Sequence, residues 1–344
     1  MEHITVQGDG VAARCLAVLL KRAGHRVSLT ATHRSKVPAI MLGEAALRLI
    51  RDVFGRPNLL REGHRIHTRI VAWGGDPKSL PHSAVVVSEQ ALLQALTDEF
   101  EMCPEQTGES ANWKVFTSRP LPERVVEHQF GHRQTQTVRV NLVPGSDPQS
   151  CWIESLESGW LFLIPDSPGT AWLLAVGAPA EVLLDASRII AREILPDKEV
   201  HGVFPSCPRI VAPLGSQDTP NDRWLACGTA AMNFDPICGD GTAHAVREAI
   251  LAAAVIDAAS KETGSVAGRE RIAGLLDHYS SRLTAGFERH LRLCGSFYAS
   301  GYRGAWWDSE LDRIKEGIVW CASQVPQLTP FRYRLNGFAI EALA

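Results

Sequence analysis

No CxxC pair and no HExxH segment occurs in this chain, and its apolar runs are all short. The eight cysteines are scattered, and Cys15, Cys227 and Cys321 sit in apolar runs where a free thiol behaves as a small hydrophobe. That usage argues against a disulfide framework. His64 and His67 have HxxH spacing without an evident third ligand, so they read as solvated surface histidines and no metal is expected. The longest apolar stretch, Ala249 to Ala259, is broken by Asp257 and is too short to span a bilayer. Charge of one sign is also lacking: a net charge of −3 argues against a general nucleic-acid binder and against a polybasic membrane binder. A Ser-His-Asp order and a nucleophile elbow are both missing, so hydrolase chemistry finds no support. The strand-like Ile4-Thr5-Val6 leaves no room for the charged and apolar regions of a secretory signal, and a cytoplasmic location is expected.

What remains is globular material: 344 residues, 45% hydrophobic and 21% charged, without repeats, enough for one large or two ordinary domains. Residues 3 to 30 predict strand, glycine turn, helix and strand. Val11, Cys15, Val18, Leu19 and Leu20 recur at helical spacing, Gly24 ends the helix, and Val27-Ser28-Leu29 opens the next strand. This is the βαβ opening of a doubly wound nucleotide-binding sheet. Helices are predicted from about Leu42 to Phe54, Glu89 to Phe100, Glu181 to Ile194 and Thr242 to Ser260. Strand texture fills 64 to 87, split by Gly74-Gly75-Asp76-Pro77, and runs on from 113 to 183 between Pro and Gly turns. Trp224 to Cys227 reads as a buried strand, and the chain is then mostly helical to about Gln324.

Gly8-Asp9-Gly10-Val11-Ala12-Ala13 fits G-x-G-x-x-A between a strand and a helix. The first Gly permits the tight turn, the second lets backbone approach a pyrophosphate, and the small Ala13 permits close helix–sheet packing. The helix N-terminus adds partial positive charge. The acidic residue that usually ends the second strand and holds the adenosine ribose is absent, its place falling at Thr30 or Ala31. Arg34, just beyond, is a candidate contact for adenosine or pyrophosphate. The missing acid makes NAD a poorer cofactor than FAD here.

A second glycine cluster runs Gly228-Thr229-Ala230-Ala231-Met232-Asn233-Phe234-Asp235-Pro236-Ile237-Cys238-Gly239-Asp240-Gly241-Thr242, from the end of a strand into a helix. Its free amides suit an anionic or electron-rich group. The segment resembles the G-D-A-A-x-x-x-D-P-x-x-G-x-G loop of FAD-dependent monooxygenases. The branch it looks most like holds the tryptophan halogenases and the flavoproteins that mature peptide-derived tryptophylquinone cofactors. Leu42-Gly43-Glu44 looks like that family's G-E element near the flavin, and Gly159-Trp160-Leu161-Phe162-Leu163-Ile164-Pro165 like its W-x-W-x-I-P strand, with Phe162 for the second tryptophan. Trp306-Trp307 and Phe331-Arg332-Tyr333-Arg334-Leu335 fit that branch more loosely.

The resemblance implies an α/β fold, with a doubly wound FAD-binding domain of the p-hydroxybenzoate-hydroxylase (GR2) type, an inserted antiparallel substrate sheet and a helical C-terminus. It divides the chain into a discontinuous FAD-binding domain (1–60, 88–132, 205–262), a substrate-side sheet (61–87, 133–204) and a mostly helical region (263–344). It places Gly8, Asp9, Gly10, Ala12, Ala13, Arg34, Glu44, Gly228, Thr229, Asp235, Pro236, Gly239, Gly241 and Thr242 around FAD. Arg69, Trp73, Trp160 and Phe162 become candidates for the substrate side, although for any single aromatic among them ordinary sheet packing is the stronger reading.

The departures from the family pattern are specific. Thr229 stands where the family has an aspartate, Glu89-Gln90 replaces the usual D-R, and D-A-x-G survives only as Glu127-His128-Gln129-Phe130-Gly131. With the missing strand-two acid, four FAD contacts are altered; at about 1 kcal/mol each, affinity would fall by several powers of ten without compensation. Halogenases of this branch use a lysine before an N-W pair, and Thr68-Arg69-Ile70-Val71-Ala72-Trp73 puts Arg69 there. A guanidinium stays protonated and is a poor nucleophile. The expected activity is therefore monooxygenation of an aromatic, tryptophan-like or peptidyl substrate, with reduced flavin supplied by a partner reductase or by transient NAD(P)H contact. The alternatives are a halogenase with another relay, or a flavoprotein-like fold with weakened FAD binding that serves as a maturation partner.

Overall fold

The computed structural model describes residues 1–32, 34–96, 111–219, 222–324 and 333–343. The end of the helix expected to reach Phe100 and the Phe331-Arg332 pair lie outside the described residues. Alternating burial in β1 (His3–Gln7) puts Ile4 and Val6 in the core, and the chain turns at Gly8 into α1 (Val11–Arg22) and returns through β2 (Arg26–Thr30). Strand β3 (Ile40–Gly43) leads directly into α2 (Glu44–Phe54), so the helix begins two residues later than its apolar pattern suggested, with Leu42 in the strand. A long hairpin follows, β4 (His64–Ala72) and β5 (Lys78–Val87), then α3 (Glu89–Ala95) and β6 (Trp113–Phe116). The middle of the chain is β7 (Val126–Gln129), β8 (Gln134–Leu142), β9 (Ser150–Leu156), β10 (Gly159–Ser167) and β11 (Thr170–Gly177).

Helix α4 (Ala180–Ala186) is only seven residues long, and the helix expected to run to Ile194 is a misreading. A short 3-10 turn intervenes, and Ile194 instead opens β12 (Ile194–Pro205). Pro196, alternating charge and two register shifts mark β12 as an edge strand, whose outward residues carry no apolar periodicity. Then come β13 (Arg209–Ala212), β14 (Gly215–Thr219), β15 (Asp222–Ala226), β16 (Met232–Asn233), α5 (Gly241–Ser260), α6 (Val266–Gly301) and α7 (Ala305–Gln324). The chain finishes in a hairpin, β17 (Tyr333–Asn336) and β18 (Ala339–Ala342), where mostly helical structure was expected.

Two large sheets result. The five-stranded sheet has the order β14-β15-β6-β1-β2; β15, β6, β1 and β2 are parallel and β14 is antiparallel to β15. Helices α1 and α5 pack against each other over it, with Cys15, Val18 and Val246 in the shared core. The eight-stranded sheet has the order β12-β8-β11-β10-β9-β4-β5-β3 and is antiparallel except between β4 and β9. Its residues alternate sides as the period of two requires. Leu161, Leu163 and Leu173 point to a small core under Leu183 and Leu184 of α4, while Phe162, Ile164 and Leu174 face the opposite way. Among the described residues, no helix is long and apolar enough to cross a membrane.

Candidate functional site

Strand β1 lies between β2 and β6, so the chain leaves its C-terminal end toward opposite sides of the parallel sheet. A crevice at such a switch point is where open α/β sheets bind ligands. Here it deepens into a cavity of about 800 Å³, in the size range of small-molecule and cofactor sites. One wall is the start of α1 (Gly10, Val11, Ala12), the second is the loop and start of α5 (Gly228, Thr229, Pro236, Gly239, Gly241, Thr242), and the third is the inward face of the eight-stranded sheet.

The first wall is shaped by two glycines. Gly8 has φ +125°, and a Cβ there would run into Thr117 Oγ1 beyond β6. Gly10 caps α1 in an extended conformation without a side-chain hydrogen bond, and a Cβ there would lie 2.9 Å from Arg34 Nη2. The first amides of α1 are thus left open toward the cavity, under a guanidinium. Arg34 is paired with buried Glu89, whose Oε2 also accepts from Val37 N at 2.9 Å. Asp9 points elsewhere, to Lys36 Nζ at 2.7 Å, and Ala13 is fully buried where α1 packs down. Glu44 begins α2, accepts from Ser83 Oγ at 3.0 Å and does not line the cavity.

At the second wall, Asp240 caps α5 without a side-chain hydrogen bond, and Gly241 and Thr242 open the helix beside the cavity. Pro236 lines the cavity but Asp235 does not. Asp235 is buried, caps the turn through Ile237 N at 2.9 Å, and ion-pairs with Arg133 Nε at 2.6 Å. Its backbone amide donates to His290 Nε2 at 2.9 Å, and burial, with His244 and Arg133 nearby, lowers that imidazole to about 3. Thr229 is exposed, and its hydroxyl donates to Thr117 O at 3.3 Å. Glu248 of α5 lies behind Gly228, accepts its amide proton at 2.8 Å, and is raised by burial to about 8, so it is largely protonated at neutral pH.

The third wall carries Thr135, Thr137, Phe162, Ile164, Trp172 and Leu174, all on one face of β8, β10 and β11. The Thr135 hydroxyl is buried with no hydrogen-bond partner. Edge strand β12 adds His201, Val203 and Phe204 to the lining; Trp172 meets the His201 ring edge-on at 4.7 Å. Phe234, stacked on His244 at 4.2 Å, faces them from the loop.

Of the four substrate-side candidates only Phe162 lines this cavity. Arg69 sits behind it, with its guanidinium 5.6 Å from the Phe162 ring and Nη2 3.1 Å from His82. Trp73 and Trp160 belong to an aromatic cluster with Trp307 and Tyr298, in which Trp73 and Trp307 are 5.5 Å apart and Trp160 Nε1 donates to Tyr298 Oη at 3.2 Å. Neither ring lines the cavity; Trp160 is fully buried and Trp73 half-buried. Sequence reasoning missed Thr117, Ser118, Lys36, Trp172, His201, Phe204 and Glu248 as lining residues. Trp172 and Phe204 carried a signal only through strand alternation, and the latter only once β12 is known as a strand.

No protein-family model matches the chain, and no curated protein does. Solved structures match over nearly its whole length. The peptidyl tryptophan dihydroxylase QhpG, essential for tryptophylquinone cofactor biogenesis, superposes with a TM-score of 0.72 at 20% identity, over 99% of this chain and 86% of that one. The fold is that of the FAD-dependent monooxygenases and halogenases. The myxobacterial chondrochloren halogenase CndH gives a TM-score of 0.71 at 16% identity, over 94% of this chain and 90% of its own. The 2,6-dihydroxypyridine-3-hydroxylase of Arthrobacter nicotinovorans gives 0.62 at 15%, over 88% and 94%.

Proposed function

We propose that the chain is an FAD-dependent monooxygenase acting on an aromatic, tryptophan-like substrate, free or within a peptide. The observation that carries this reading is one continuous cavity. It joins an open α1 N-terminus at Gly10-Val11-Ala12, the α5 N-terminus at Gly241-Thr242, and an aromatic sheet face. The residues present fit the cofactor: two uncapped helix starts suit a pyrophosphate and an electron-rich ring, and the orphaned Thr135 hydroxyl offers a hydrogen bond. When bound, FAD would supply oxygen activation, and the protein supplies position and electrostatics.

In this reading Gly10, Val11 and Ala12 bind the pyrophosphate through backbone amides, with Arg34 above them. Pro236, Gly239, Gly241 and Thr242 hold the flavin side of the cavity, and Phe162, Trp172 and Phe204 take the aromatic ring of the substrate. Glu248, largely protonated, keeps a second buried negative charge away from the phosphates. The five-stranded sheet then forms the cofactor side and the eight-stranded sheet the substrate side, with reducing equivalents coming from a flavin reductase or from NAD(P)H.

Likeness to halogenases makes halide oxidation the second reading, but Arg69 in place of a relay lysine, turned behind Phe162, disfavours it. The test is single-turnover oxidation of indole-containing compounds and peptides by the FAD-loaded, reduced protein in halide-free buffer. An oxygenated product there is expected; product formed only after chloride or bromide is added would overturn the reading.

A further inference from the structure

The turn Pro236–Cys238, between two cavity-lining residues, places the Cys238 sulfur 3.5 Å from that of Cys294 on α6. Cys294 Sγ is in turn 3.2 Å from His290 Nε2. Of the described cysteines, six are buried and Cys238 alone is partly exposed. The three ligand atoms lie within 4.8 Å of one another, a spacing a soft metal ion could bridge. His290 Nε2, however, already accepts the Asp235 amide proton, which occupies the lone pair a metal would need. Two adjacent sulfurs, one reachable from solvent and one protected, suit thiol oxidation better.

We propose that Cys238 and Cys294 form an oxidisable dithiol, a modification site that takes hydrogen peroxide and closes to a disulfide. The Cys238 thiol attacks the peroxide: an S–O bond forms, the O–O bond breaks, and one water leaves, giving a sulfenic acid. The Cys294 sulfur then displaces the hydroxyl from Cys238, and its proton departs with that hydroxyl as a second water. Two thiols are oxidised by two electrons in all, and one peroxide is reduced to two waters. Burial pushes the Cys294 thiol well up, which keeps it protonated and shields it from direct attack by peroxide, so the partly exposed Cys238 is the first sulfur to react. The disulfide would tie the Pro236–Gly241 stretch to α6. Because Pro236, Gly239, Asp240 and Gly241 all line the cavity, the bond would fix one of its walls.

The test is mass spectrometry of the full chain after brief exposure to dilute peroxide, with free thiols alkylated under denaturing conditions. The expected result is loss of two hydrogens, two fewer alkylated thiols, and a peptide joining Cys238 to Cys294 that reduction releases. In Cys294→Ser, Cys238 should instead be trapped by a sulfenic-acid probe. All cysteines remaining alkylatable would overturn the proposal. So would oxidation of Cys238 to sulfinic acid without a cross-link, or a cross-link through Cys103.

Discussion

Arg133 on the segment entering β8 donates through Nε to the Asp235 carboxylate at 2.6 Å, and neither side chain reaches solvent. The same carboxylate accepts from Tyr298 Oη at 3.1 Å, and the other arm of the guanidinium reaches Glu310 on α7. One buried cation therefore ties the loop beside the cavity to both long C-terminal helices. Removing one partner of such a pair leaves a desolvated charge. Asp235→Ala should lower the unfolding free energy by about 3–5 kcal/mol in urea titrations. A loss under about 1 kcal/mol would mean the network contributes little.

Glu248 gives a pH signature of definite sign. Its carboxyl is raised from 4.5 to about 8 in the folded chain by burial, against the opposing Gly228 amide. Between those values the unfolded chain releases the proton and the folded chain keeps it. Stability from this group is complete below the lower value, falls as pH rises through the interval, and levels off above the upper one. Relative to Glu248→Gln, the wild type should lose up to about 1.4 kcal/mol per pH unit over that window. Parallel stability curves for the two proteins from mildly acidic to mildly alkaline pH would contradict the assignment.

The glycine-turn end of the cavity was legible because its requirements are local. Gly8 and Gly10 hold positions where a Cβ would collide, and the apolar runs of β1, α1 and α5 announce burial on their own. The end formed by the eight-stranded sheet was not. Strand β12 is exposed along most of its length, so no hydrophobic period marks it. Asp235 finds its counter-charge 102 residues away, a distance at which sequence gives no pairing signal. Trp73 and Trp160 were indistinguishable from channel residues because an aromatic ring suits a core and a binding site equally. Trp160 is fully buried and donates to Tyr298 Oη, whereas Trp73 is half-buried and donates to Phe297 O; neither lines the cavity.

Thr229 offers a gain-of-function test. It is exposed at the cavity, between the Gly228 turn and the loop, where the G-D-A-A pattern that this segment resembles has an aspartate. Thr229→Asp should tighten FAD binding by about fivefold, the effect of one added hydrogen bond of about 1 kcal/mol. Unchanged affinity by fluorescence titration would show that this position does not weaken the site.

The central claim, that the cavity at the β1 switch point holds FAD, is tested most directly by the visible absorption spectrum of the purified protein before and after incubation with excess FAD and desalting. The account predicts retained flavin bands at about one FAD per chain, lost when Gly10→Glu fills the α1 amide wall. A colourless protein that also fails to retain added FAD would contradict it, and would favour a flavoprotein-like fold working as a binding partner.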